Sequence, residues 1–243
     1  MDQSFQFFEW WVWIFRGRLS VIKNSLITFF FIAALTAPAY ASEQLPVGRL
    51  ITLSGPNCSA TLIGPSKILT AAHCVVNRSK TGIWSPSLIQ FSITSQDGLR
   101  GYAKAVSVGL PSEYALGLPL AVKSLASDWA ILKLDKELGR IFGIVEVLTA
   151  PEQAAWISGT VKIVAYGRAK VSRPNFHGTC HAKRTGNLIE HDCQIEKGGS
   201  GAALITEDGR IVGVNVAKRQ VGASRPIGIA SFPQYDREFL TKR

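Results

Sequence analysis

The chain has 243 residues, 47% of them hydrophobic and 18% charged. That excludes disorder as the main state and leaves room for one domain of two packed halves or for two small domains. The formal net charge is +10; residues 1–41 hold three of the 27 basic and two of the 17 acidic residues, so +9 remains without them. The basic residues are scattered, with no run longer than Lys183-Arg184 or Lys218-Arg219. The charge therefore marks no nucleic-acid surface, and no nucleic-acid partner is expected.

The N-terminus reads as an address. Residues 25–37, SLITFFFIAALTA, form an apolar run preceded by Lys23 and followed by Ala39-Tyr40-Ala41, a small-x-small cleavage pattern. A membrane span needs about 20 apolar residues, and this run ends at Pro38. The expectation is a signal peptide over 1–41, cleaved after Ala41, and a periplasmic or secreted bacterial product. The membrane is then met only through that segment before cleavage; a retained anchor is the competing reading. A second apolar stretch at 7–15 exceeds what a signal peptide uses, and Met1 is the only methionine. Val21 opens a signal peptide of ordinary length, so translation is expected to start there, from a valine codon. The folded part is expected as two β-barrels, over 42–140 and 141–243.

The mature segment has a hydrophobic period of two. Strands are expected at 49–53, 60–63, 67–69, 88–94, 102–108 and 129–134, then at 144–148, 161–165, 202–205, 211–216 and 227–230. Gly55-Pro56-Asn57, Gln96-Asp97-Gly98 and Glu207-Asp208-Gly209 read as turns. Residues 77–87 and 110–127 read as loops. A short closing helix is expected at 235–242, with Phe239 and Leu240 on one face. Short strands at this spacing argue an all-β barrel or sandwich. No internal repeat is visible in the residues. The four cysteines, Cys58, Cys74, Cys180 and Cys193, favour two disulfides in an oxidising compartment. Spacing alone leaves their pairing open.

Three motifs carry the chemistry. Thr70-Ala71-Ala72-His73-Cys74 follows a strand and offers His73 as a base whose turn a neighbouring cysteine can fix. Ser127-Asp128-Trp129-Ala130-Ile131-Leu132 puts Asp128 at the mouth of an apolar strand, either as a turn residue or as a carboxylate that orients an imidazole. Asp135, past that strand, is its nearest competitor. Gly198-Gly199-Ser200-Gly201 surrounds one serine with glycines just before a strand. The glycines let the backbone aim the Gly198 and Ser200 N–H groups at one oxyanion, with Ser200 as nucleophile.

TAAHC, DWAILKL and GGSGAAL, in that order, resemble the trypsin/chymotrypsin-like serine endopeptidases, over about residues 49–232. The resemblance implies two packed six-stranded antiparallel β-barrels with the active site between them. It implies His73 as general base, Asp128 as orienter, Ser200 as nucleophile, and an oxyanion hole from Gly198 and Ser200. It also implies a Cys58–Cys74 bridge, with Cys180 and Cys193 left as the second pair. Cys193 sits seven residues before the serine, a spacing similar to the bacterial, glutamyl-endopeptidase-like branch. Two departures stand out. Gly199 replaces an Asp that receives the new N-terminal ammonium in the digestive enzymes, so no activation by that ion pair is expected. At the base of the substrate pocket Gln194 replaces the Asp of trypsin-type enzymes.

With Ile195, Asn215, Val216, Ala217 and Lys218 also assigned to the pocket, a small or uncharged P1 residue is expected, and an acidic one is the runner-up. Glutamyl endopeptidases carry a His at the position aligned with Asn215. The partner is a protein or peptide substrate, no cofactor is expected, and the chain is expected to act as a monomer. A zinc site from His177, Cys180, His181, His191 and Cys193 competes with the second disulfide. Export and the lack of a C-x₂-C pair favour the disulfide, so no metal is expected. A non-catalytic binding protein on the same fold is the functional alternative, motivated by Gly199. An α/β-hydrolase is disfavoured, because the order Ser, Asp, His is not met.

Overall fold

The computed structural model describes residues 45–53, 57–77, 82–114, 116, 122–167, 176–220, 222 and 226–234. The signal segment and the C-terminal helix expected at 235–242 lie outside the described residues. The chain divides into Met1–Glu43 and Gln44–Arg243, and the structure below belongs to the second unit.

Alternating apolar residues build two closed antiparallel barrels. The first takes β1 (Val47–Thr52), β2 (Cys58–Gly64) and β3 (Lys67–Thr70). The two-residue strands β4 (Val76–Asn77) and β5 (Gly82–Ile83) pair outside it. It resumes with β6 (Ile89–Thr94), β7 (Arg100–Gly109) and β8 (Ala130–Leu134). The ring runs β1-β2-β3-β8-β7-β6 and closes where β1 pairs with β6, Arg49 opposite Ser92. Leu50, Leu62, Ile68, Phe91, Ile93 and Leu132 fill its interior, each buried. Each such side chain contributes about 1.5–3 kcal/mol of transfer free energy.

The second barrel takes β9 (Ser158–Ala165), β10 (Phe176–Thr185), β11 (Leu188–His191), β12 (Ala203–Thr206), β13 (Ile211–Arg219) and β14 (Ile227–Ser231). Its ring runs β9-β10-β11-β14-β13-β12. Counted within each barrel, both rings read first, second, third, sixth, fifth, fourth. The fold thus repeats in connectivity although no repeat is visible in the residues. Leu204 packs into the second barrel's interior, while Ala203 and Ile205 join the cluster that fills the first. Burial on both faces explains the unbroken apolar run Ala202-Ala203-Leu204-Ile205.

Five elements differ from expectation. Residues 144–148 are no strand. Val145 N–H bonds to Leu62 O, at 2.9 Å, and Leu148 N–H bonds to Ile211 O, also at 2.9 Å. The segment is apolar because it bridges the barrels, and it makes only one isolated bridge, Val147 with Ile211. Strands β10 and β11 are not among the expected ones; in β10, Gly178, Cys180 and Ala182 stand on alternate positions and give no hydrophobic period. Two short helices, α1 (Gly139–Phe142) and α2 (Ala150–Ala155), also interrupt the connection. A capping signal marks α2: Thr149 N–H bonds to the Glu152 carboxylate, at 2.8 Å.

Candidate active site

Strand β3 ends at Thr70, and the chain tightens into a 3₁₀ turn, Ala72–Cys74, with all three residues buried. Cys74 is joined to Cys58 at the head of β2, with Cα atoms 6.2 Å apart. The bridge ties the His73 turn to the barrel. Strand β8 pairs with β3, Thr70 opposite Ala130, so Asp128, just before β8, arrives beside that turn. Its two oxygens are both engaged by His73: the backbone N–H bonds to Oδ1 at 2.8 Å, and Nδ1 lies 2.7 Å from Oδ2. Asp128 is wholly buried and His73 nearly so. A carboxylate only accepts, so Nδ1 carries the proton and Nε2 is the basic nitrogen. Asp135 lies at the far end of β8, where its carboxylate accepts the Lys104 N–H at 2.9 Å. It is a turn residue.

The serine loop precedes β12. Gly198 and Gly201 have φ of +107° and +82°, conformations that favour glycine. A Cβ on Gly198 would overlap the Tyr166 carbonyl oxygen, and one on Gly201 would overlap the Ser59 carbonyl and Thr70 Oγ1. The Ser59 N–H bonds to Ser200 O at 2.8 Å, and Thr70 Oγ1 donates to Ser59 O at 2.8 Å. These bonds seat the serine loop of the second barrel on the strands that carry His73. Among the described residues, neither the Gly198 nor the Ser200 N–H donates within the protein. Ser200 itself is partly exposed.

A cavity of about 350 Å³ adjoins this loop, lined by Asp192, Cys193, Gln194, Ile195, Glu196, Lys218, Pro226 and Gly228. Of the residues assigned to the pocket from sequence, Gln194, Ile195 and Lys218 line this cavity. Asn215, Val216 and Ala217 are not among the lining residues; Asn215 and Val216 are buried. Cys193 is disulfide-bonded to Cys180, with Cα atoms 5.0 Å apart, so the two thiolates a zinc site would need are consumed.

Residues 58–214 match the trypsin-like peptidase domain. The chain belongs to the trypsin-like peptidase family, and with it to the serine proteases. A solved structure described as Glu endopeptidase in complex with MPD shares the fold with a TM-score of 0.64, at 24% identity, covering 81% of this chain and 88% of that one. No curated protein matches the chain by sequence.

In this trypsin-like peptidase a Cβ at position 199 would overlap Ile195 Cγ2, so the Asp of the digestive enzymes fits there only if Ile195 shifts. The serine loop is held otherwise. Asn215 Nδ2 donates to Gly199 O at 2.9 Å, and Ser59 Oγ donates to Gly198 O at 3.1 Å. Behind Asn215 stands His191, which sequence reading placed only in a metal cluster. Its ring packs on Gly228, where any Cβ would overlap it. Its Nε2 lies 3.1 Å from Asn215 Oδ1. Because the Asn215 amide donates to Gly199, its oxygen is the acceptor here, and His191 Nε2 carries the proton. Burial, first, pushes the His191 pKa down to about 4, against the opposing effects of the Asn215 bond and of Asp192. Its Nδ1 is buried without a hydrogen-bond partner among the described residues. Inward alternation with Ile189 was the sequence signal for it, and a weak one.

Proposed function

We propose that the chain is an exported serine endopeptidase that works through an acyl-enzyme. Ser200 Oγ attacks the scissile carbonyl while His73 Nε2 takes its proton. Asp128 holds the imidazole and stabilises the imidazolium that forms. The Gly198 and Ser200 N–H groups receive the oxyanion. His73 then returns the proton to the leaving amine, and water repeats the sequence on the ester. The observation that carries this reading is the two-point contact of Asp128 with His73, fully buried, at the end of the barrel where the serine loop is seated.

For substrate we propose a peptide with a small or uncharged P1 side chain. Among the described residues, the charged groups that line the cavity are Lys218, Asp192 and Glu196. Among these described groups an acidic P1 meets more like charge than unlike, and Asn215 turns its amide to the loop rather than to the cavity. A cleavage profile dominated by Arg or Lys at P1 would refute this; one dominated by Glu would move the reading to the acidic alternative.

The deciding experiment is labelling of the oxidised protein with a fluorophosphonate, beside Ser200→Ala. Labelling that maps to Ser200 and vanishes in the variant supports the triad. A folded protein that does not label leaves the binding-protein reading. N-terminal sequencing of the exported product, with Ser42 expected first, tests the signal segment.

A further inference from the structure

The oxyanion loop of this chain lacks the side chain that the family resemblance leads one to expect at position 199, yet every peptide around it is held. Peptide groups are planar and trans, so the C=O and N–H of one peptide point in opposite directions. The Gly199 carbonyl and the Ser200 N–H belong to one such group. Fixing that carbonyl therefore fixes where the Ser200 N–H points. The carbonyl accepts Asn215 Nδ2 at 2.9 Å and the Ala202 N–H, a longer turn bond, at 3.2 Å.

The neighbouring peptide is held at both ends as well. Gly198 O accepts Ser59 Oγ at 3.1 Å, and the Gly199 N–H donates to Glu196 O at 3.1 Å. Ser59 Oγ is fixed in turn by the Tyr166 N–H, at 2.9 Å. Asn215 is fixed on three sides. Its N–H bonds to Ala202 O, its carbonyl accepts the Gly201 N–H, both at 2.8 Å, and its Oδ1 takes the His191 N–H. Both ends of the side-chain amide are thus engaged, Nδ2 by Gly199 O and Oδ1 by His191, on the side of the serine loop.

Building on the peptidase reading above, we propose that Asn215 is a positioning residue of the oxyanion hole. It sets the Gly199–Ser200 peptide so that the Ser200 N–H faces the reacting carbonyl, while Ser59 sets the Gly198–Gly199 peptide beside it. The pair does from within the barrels what an ammonium–carboxylate pair does in the digestive enzymes. The loop is then formed on folding, with no cleavage needed to form it.

The test uses the exported, oxidised protein and an alkyl fluorophosphonate, whose phosphoryl oxygen enters the hole as the bond to Ser200 forms. Losing an oxyanion donor outright costs about 10²–10³ in rate, so loosening one is expected to slow kinact of Asn215→Ala about 10- to 100-fold. KI should stay within about twofold, since the loss falls on the transition state. The pH profile of kinact, which reports His73, should not move. Ser59→Ala should show the same pattern more weakly, and it carries the test if Asn215→Ala lacks native near-UV dichroism. A kinact within threefold of wild type in the folded variants overturns the proposal. So does a raised KI at constant kinact, which would make Asn215 a pocket residue, or a shifted pH profile, which would mean damage to the His73–Asp128 couple. If the wild-type protein does not label at all, the peptidase reading itself has failed, and this proposal falls with it.

Discussion

His191 gives the fold a pH dependence that can be calculated and isolated. Its folded-state pKa is about 4, against an ordinary value of 6.5. Between those values the unfolded chain binds a proton that the folded chain does not, so stability falls as pH falls through that window. Above pH 6.5 the contribution is fully present; below about 4 it is gone. One pKa unit is about 1.36 kcal/mol, so the total is about 3 kcal/mol, half of it lost near pH 5. The side chain is 2% exposed, so solvent screening reduces this little. The assay is urea unfolding of wild type and His191→Gln, at intervals from pH 7.5 to 3.5. Glu152, held down to about 2 by Arg210 first and by Thr149, and Asp208, lowered by Thr206 and Arg210, titrate in both proteins. The difference between the two curves therefore isolates His191. Wild type should lose about 3 kcal/mol of its advantage between pH 7 and 4, then hold level. A difference that stays flat across the range would refute the reasoning, and with it the neutral, buried imidazole behind Asn215.

Asp128→Asn should leave the fold intact but present an amide N–H to one of the two His73 N–H groups it now accepts. The tautomer with a basic Nε2 is then lost, and labelling of Ser200 should slow by about 10³–10⁴, or about 4–5 kcal/mol of barrier; a loss under tenfold would sink the orienting role. Gly199→Asp, which restores the family residue, should lower Tm and slow labelling, because its Cβ overlaps Ile195. Adding Ile195→Ala should recover part of both, and equal behaviour of the single and double variants would argue against the clash. Replacing Cys58 and Cys74 together by serine should cost about 3 kcal/mol in unfolding free energy in the chain-entropy model. It should also slow labelling, because the bridge holds the His73 turn; unchanged kinetics would show that the 3₁₀ turn holds itself.

Much of this molecule was legible in the sequence, for identifiable reasons. Strand β6 alternates, with Ile89, Phe91 and Ile93 buried between Gln90 and Ser92, so the period of two shows through. His73, Asp128 and Ser200 sit at strand ends beside residues with few alternatives: a cysteine, an apolar strand, a glycine cluster. What escaped reading lay where tertiary context overrides pattern. Strand β10 faces inward with Gly178, Cys180 and Ala182, and small residues give no hydrophobic signal. The segment at 144–148 has strand composition, but its hydrogen bonds go to two different barrels.

The direction of the Asn215 side chain has a specific cause. Sequence alternation along β13 treats residues 215 to 218 as one regular pocket wall. The strand is not regular there: Asn215 pairs with Ala230 and Ala217 with Ile229, so Val216 is an extra residue in a bulge. A bulge re-aims the side chains around it and is invisible to a period of two. Because of it, Lys218 reaches the cavity while Asn215 keeps its inward direction, toward His191 and the serine loop. Gly199 and Asn215 are thus two halves of one arrangement. With no side chain at 199 to receive an anchor, the loop is held by its carbonyl oxygens, and the bulge in β13 leaves an amide in reach of one of them.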